Sequence, residues 1–135
     1  MFYDFPITVP ADTQEGDPVI EEMKLAAGVI NWIEIRYKYG PSFMVYVRLL
    51  QGGHQLWPTN PESAFRDDGR AIAFAENFPL TPDNNILKAV CYSPGTVYDH
   101  EIIVRLGILP EEVVTPLSGV VGALQKFLAL VGIKG

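Results

Sequence analysis

Cysteine occurs once in 135 residues, at Cys91. An intrachain disulfide and a cysteine-based metal cluster are therefore excluded, and the apolar pattern around Cys91 predicts a small buried hydrophobe. Basic residues are also scarce: ten Lys and Arg stand against sixteen Asp and Glu, for a formal net charge of -6 and a pI near 4.8. The ten do not cluster, so the cationic surface that phosphate backbones require is missing and nucleic acid is not an expected partner. Histidine is confined to His54 and His100. One histidine in each of two distant segments, even with Asp99 and Glu101 beside the second, falls short of the clustered histidines and carboxylate of a metal site. No metal and no other cofactor is expected.

Motifs of catalysis are equally sparse. There is no G-x-S-x-G elbow, no phosphate-cradling glycine loop, and no motif around Cys91. Ser93-Pro94-Gly95 reads as a turn, and Asp67-Asp68-Gly69 lacks the spaced acidic ladder of a calcium loop and reads as a type I turn with a left-handed glycine. No residue is assigned a catalytic role, and an enzyme is not expected. The N-terminus, Met1-Phe2-Tyr3-Asp4-Phe5-Pro6, has no basic region followed by an apolar run. A signal peptide is therefore not expected, and synthesis in the cytoplasm is.

What the sequence does contain is 48% hydrophobic against 19% charged residues, enough for one core. Val29, Ile33, Ile35, Tyr37 and Tyr39 share one parity while Trp32, Glu34, Arg36 and Lys38 take the other, which is the two-residue period of a half-buried strand. Gly40-Pro41-Ser42 then interrupts, and Phe43, Val45, Val47 and Leu49 resume an inward parity. Residues 29–50 thus read as an antiparallel hairpin or a pair of sequential strands. Further strands are predicted near residues 2–9, 20–26, 71–75, 86–92 and 100–108, separated by turn-rich segments over 10–18, 59–69, 81–85 and 93–99. The acidic run Asp12, Glu15, Asp17, Glu21 and Glu22 reads as a solvated loop leading into an edge strand. Short strands with turn signals between them predict a mainly β chain, a single antiparallel β-sandwich over residues 1–109, with a jelly roll as one form of it.

After Ile108 the character changes. Residues 110–116 form a proline-bounded linker, and 117–135 read as an apolar C-terminal helix in which Leu117, Val120, Val121, Leu124, Phe127, Leu128 and Val131 build an unusually wide stripe. Only Gln125 and Lys126 would meet water, so the stripe requires a partner surface. Three surfaces compete: the domain's own sheet, a second copy or another protein, and a membrane. Crossing a bilayer is disfavoured because the run is only about 17 residues long and carries Lys126 near its middle. An interfacial membrane helix would carry a basic polar face that is missing here. Pro116 lets the helix leave the sandwich in a new direction, which favours assembly as a homo-oligomer or on another protein.

One stretch, "GGHQLWPTNP" at residues 52–61, mixes turn and binding chemistry. Gly52-Gly53 permits a sharp bend, and Pro58 and Pro61 stiffen an exit loop around Thr59 and Asn60. Trp57 has two readings: a plug at the end of the sandwich, or a stacking platform for a sugar with His54, Gln55 and Asn60 supplying directional hydrogen bonds. An exposed indole would favour the platform and a buried one the plug. His54, Gln55, Trp57 and Asn60 are therefore the candidate ligand-binding residues.

The succession "YDFPITVPADT", "KLAAGVINWIEIRY", "GGHQLWPTNP" and "YDHEIIVRLGILP" resembles small β-sandwich structural proteins of tailed bacteriophages and related viruses. The resemblance spans residues 2–109. It implies a non-enzymatic virion component, a capsid decoration or cement protein or a head or tail accessory protein, whose partners are capsid or other virion proteins. The alternative expectation is a carbohydrate-binding or host-adhesion module.

Overall fold

The computed structural model describes residues 1–110. The linker expected over 110–116, apart from Pro110, and the helix expected over 117–135 lie outside the described residues, and so do Leu117, Val120, Val121, Leu124, Phe127, Leu128 and Val131. The strands are β1 (Phe2–Val9), β2 (Val19–Lys24), β3 (Gly28–Tyr37), β4 (Tyr46–Gln51), β5 (His54–Trp57), β6 (Ala71–Leu80), β7 (Ile86–Tyr92) and β8 (His100–Pro110). They form two antiparallel four-stranded sheets, one in the order β1-β8-β3-β6 and the other β2-β7-β4-β5. The first strand pairs with the last, the second with the second-last, and so on inward to β4 with β5. The chain therefore lies down as a two-stranded ribbon folded over on itself. Pairing of β3 with β8 and of β4 with β7 joins its halves into sheets.

Alternation creates the core. The inward residues of both sheets, among them Ile7, Met23, Ile33, Leu49, Leu87, Ile102 and Leu106, are each at most 3% exposed and belong to one apolar cluster. Full burial of such a side chain contributes about 1.5–3 kcal/mol. Cys91 lies in this cluster, fully buried, as the apolar pattern around it predicts.

Of the two readings of residues 29–50 the pair of sequential strands holds, while the expected inward parity is corrected. β3 and β4 follow one another in sequence but lie in different sheets, so they are sequential strands and not a hairpin. The loop between them, with Ser42 and Phe43 at φ of 50° and 62°, is longer than the tight turns that join hairpin strands. The inward parity also changes within β3. Ile30 is buried while Val29 is only half-buried, and Ile33, Ile35 and Tyr37 take over after a bulge at Asn31, where Ile30 faces Ile108 and Trp32 faces Gly107. One extra residue in one strand reverses which face its side chains occupy. Tyr39 and Phe43, expected inward, are exposed, and the inward series of the next strand starts at Val45.

β6 runs to Leu80, beyond the residue 75 expected. Phe78 and Leu80 continue its inward face past Glu76 and Asn77, two polar residues that obscure the pattern. β2 is an edge strand reached from the loop that holds Asp12, Glu15 and Asp17, as anticipated, but Glu21 and Glu22, expected in that loop, lie within the strand itself. The turn at Asp67-Asp68-Gly69 places Gly69 at a φ of 67°. Its amide donates to the Lys38 carbonyl, and the Asp68 carboxylate accepts from the Gly40 amide.

Candidate functional site

The residues 52–61 form one wall of a cavity of about 510 Å³ on the outer face of the β2-β7-β4-β5 sheet, beside its edge strand β5. Gly52, at a φ of 60°, and Gly53 turn the chain from β4 into β5, so that Gln51 faces His54 across the ladder. A left-handed φ at this position suits glycine because it has no Cβ to clash with the carbonyl. The cavity is lined by Arg48 and Leu50 of β4, by His54, Gln55 and Leu56 of β5, and by Thr59 and Pro61 of the loop beyond.

Gln55 holds that loop in place. Its side-chain amide donates to the backbone oxygens of Pro58, Asn60 and Ser63 at 2.9, 3.2 and 3.1 Å. With its hydrogens engaged in this way, Gln55 shapes the cavity more than it offers a donor to a ligand. The Asn60 amide bonds to the Ser63 hydroxyl, and the Ser63 amide donates to the Asn60 carbonyl. Asn60 is therefore a turn residue outside the cavity lining. His54 and Thr59 are exposed at its rim.

Trp57 faces the other way. It is 5% exposed, with its indole edge-on to Phe78 at 5.4 Å and its N–H donated to the Glu76 carboxylate at 2.9 Å. The Trp57–Pro58 peptide is cis. Strand β5 of one sheet is thereby fastened to β6, the edge of the other. Of the two readings of this tryptophan, the buried plug is the one its position matches, and no indole face is open for stacking.

Arg48 was not singled out by the sequence, since an isolated arginine in a strand carries no motif. Its guanidinium carbon lies 5.5 Å from the Tyr92 ring centre. Tyr92 stacks on its cross-strand partner Tyr46 at 5.0 Å, and Arg66 covers Tyr46 at 5.4 Å while donating to its hydroxyl at 3.1 Å. Tyr92, covered by Arg48 and Tyr46, is only 8% exposed although it alternates outward, and Val90, the ladder partner of Arg48, is 7% exposed. Burial pushes the Tyr92 hydroxyl above its ordinary value, and the nearby Arg48 charge partly offsets this.

The outer face of the other sheet is arranged differently. Arg105 sits between its ladder neighbours Asp4 and Glu34, bonding them at 3.0 and 3.1 Å, and Lys38 pairs with Glu101. There basic side chains have acidic partners. On the cavity face, Arg48 and Arg66 have no ion pair among the described residues.

At the end of the molecule holding the β3–β4 loop, that loop and residues 93–99 meet around a second cleft of about 200 Å³, lined by Pro41, Met44, Thr96, Val97, Tyr98 and His100 among others. Tyr39, Val97 and Tyr98 are 86%, 77% and 75% exposed. The loops are held by polar contacts. The Thr96 hydroxyl donates to the Ser93 carbonyl and accepts from the Asp12 amide, and the Gly95 amide donates to the Asp12 carboxylate. His100 stands at this end and His54 at the other, so the two histidines do not meet. Among the described residues no three His, Cys, Asp or Glu side chains converge on a metal position, and no helix is long and apolar enough to cross a membrane.

No protein-family description and no curated protein matches the chain. Among solved structures the chain is similar to FLHE, known from a crystal structure. The match has 17% identity and a TM-score of 0.36, and covers 78% of this chain and 95% of that one. Likeness at that level carries no argument about function.

Proposed function

We propose that the chain is a non-catalytic structural protein that works by protein–protein contact, as a component of a larger particle. The virion decoration, cement and head or tail accessory proteins that its sequence resembles are the kind of component meant. The observation that carries the contact reading is the loop end described above, where Tyr39, Phe43, Val97 and Tyr98 expose large apolar surface on adjoining segments. Aromatic side chains are enriched at protein interfaces because they bury much area at small entropic cost, and a soluble protein gains nothing by leaving them in water.

The strand pairing supports the same reading at the level of fold. First-with-last pairing in the orders β1-β8-β3-β6 and β2-β7-β4-β5 is that of an eight-stranded jelly-roll sandwich, an architecture used by viral capsid proteins and by lectins. A fold does not choose between those uses. A carbohydrate-binding reading that relies on Trp57 as its platform is disfavoured by the buried indole. In this proposal the apolar residues 117–131 add to the assembly contact.

Two measurements test it. Mass spectrometry of purified virus particles is expected to detect the chain, and the Val97→Ser/Tyr98→Ser variant is expected to be reduced in the particles or in the oligomer found by light scattering. Absence from particles, combined with a monomeric mass for the full chain that the double substitution leaves unchanged, overturns the proposal.

A further inference from the structure

The cavity beside β5 holds a group that the fold itself does not explain. The Nε atom of Arg48 is enclosed, so a ligand in the cavity cannot reach it, and has no hydrogen-bond partner, while the rest of the guanidinium lines the cavity with no ion pair among the described residues. An unpaired buried donor on a charged group is costly, and buried polar atoms are satisfied in the great majority of cases. Three of the other four arginines are ion-paired, Arg36 with Glu34, Arg70 with Asp67, and Arg105 with Asp4 and Glu34, and the fourth, Arg66, donates to the Tyr46 hydroxyl. Arg48 is instead braced against Tyr92 and lines a concavity. A guanidinium held by stacking loses little further freedom on binding, which is the preorganisation that an anion receptor needs.

We infer that this cavity is a binding site for a small carboxylate-bearing ligand of monosaccharide size, with the Arg48 guanidinium as its anion receptor. The planar fork of an arginine matches the two oxygens of a carboxylate. Neither a second arginine nor any lysine lines the cavity, so a singly charged carboxylate fits the site better than a phosphate monoester, which carries nearly two charges. The volume of about 510 Å³ falls within the range of about 300–1,000 Å³ typical of small-ligand pockets. Leu50, Leu56 and Pro61 offer apolar walls to ring C–H groups, while His54 and Thr59 at the rim can exchange hydrogen bonds with ring hydroxyls. An acidic sugar of the uronate kind combines these features. Gln55 acts as a positioning residue through its three bonds to the 58–63 loop. The site shares no lining residue with the loop-end cleft, so it stands or falls separately from the assembly proposal.

The test is titration of the full chain, followed through its backbone amide resonances, with sodium glucuronate, glucose and inorganic phosphate in turn. Saturable shifts around residues 48–61 are expected with glucuronate, at least about tenfold weaker binding with glucose and with phosphate, and a loss of roughly tenfold or more in glucuronate affinity for Arg48→Gln. Arg66→Gln, on the far side of the aromatic stack, is expected to leave the affinity unchanged. Should Arg48→Gln fail to fold by circular dichroism, Arg48→Lys replaces it in the comparison, because it keeps the charge and the stem but not the fork. The inference is overturned if glucuronate gives no saturable shifts, if glucose or phosphate binds as well, or if the folded Arg48 variant binds like the parent chain.

Discussion

The indole N–H of Trp57 donates to the carboxylate of Glu76 at 2.9 Å, joining the edge strand of one sheet to the edge strand of the other. The Asn77 backbone N–H, which is the larger influence, and the Trp57 N–H together hold the Glu76 carboxyl below its ordinary value of 4.5. A lowered folded value means that the charged form favours the folded state. This contribution is complete above the ordinary value and is lost as the pH falls through the lower folded one. Because the carboxylate is largely solvated, Glu76→Gln is expected to cost only about 1 kcal/mol or less near neutrality. Urea unfolding followed by tryptophan fluorescence is expected to show that deficit at pH 7 and its progressive loss as the pH falls below the ordinary carboxyl value. A deficit independent of pH contradicts this account.

Cys91 offers a second test of the interior. Burial, and secondarily the charge of Glu21, push its thiol up to about 12, and the thiolate is the reactive form. The folded chain is therefore expected to react with a disulfide reagent at neutral pH far more slowly than the same chain in denaturant. The two rates can be compared directly by absorbance, and equal rates would mean that this strand opens to solvent.

Tyr37 ties the sheets in another place. Its hydroxyl donates to the Phe65 carbonyl at 2.9 Å, and the same carbonyl accepts from the Val47 amide at 2.9 Å. Tyr37→Phe leaves that carbonyl with one partner, so the cost is expected at the lower end of about 0.5–1.5 kcal/mol. Denaturant midpoints measure it, and a loss above about 3 kcal/mol would mean that the ring repacks, as large deletions of core volume do.

The fold was legible in the sequence wherever an uninterrupted alternation decided it. The strands at residues 2–9, 86–92 and 100–108 follow their apolar parity almost to the residue. What misled the reading were places where one residue changes the count or the partner. Asn31 inserts a bulge that moves the inward series from Ile30 to Ile33, and a parity rule applied from Val29 onward has no signal for it. Residues 29–50 left a hairpin and a pair of sequential strands both open because hairpin strands and strands that cross between sheets share the same local pattern. Only the long-range partners Ile102 to Pro110 and Ala71 to Leu80 tell them apart. The stretch 52–61 does border a cavity, yet its most conspicuous residue, Trp57, is turned into the core. Arg48 became visible only when folding set it beside Tyr92 and left its Nε without a partner.

Gly28 measures how closely β3 and β8 approach. A Cβ placed on it would come 2.1 Å from the Leu109 carbonyl oxygen, a backbone atom that cannot swing aside. Gly28→Ala is expected to cost about 1–3 kcal/mol or more. Gly53→Ala is the matched control, because nothing lies within 4 Å of its Cβ position, and it is expected to stay within about 0.5 kcal/mol of the parent. Chemical denaturation of the two variants side by side checks the contrast.

Phe43 distinguishes a side chain kept for contact from one kept for stability. It adopts a φ of 62° and is 45% exposed, and a left-handed conformation costs an L-residue roughly 1–2 kcal/mol. Glycine removes that cost but adds about 0.5–1 kcal/mol of chain entropy to be lost on folding. Phe43→Gly is therefore expected to leave the melting temperature unchanged or raise it slightly, while weakening association through the loop end. Calorimetry and light scattering on the same sample separate the effects. A stability loss of more than about 1 kcal/mol would assign Phe43 to the packing of its own domain. An unchanged association would remove it from the proposed contact surface, leaving Val97 and Tyr98 to carry that surface.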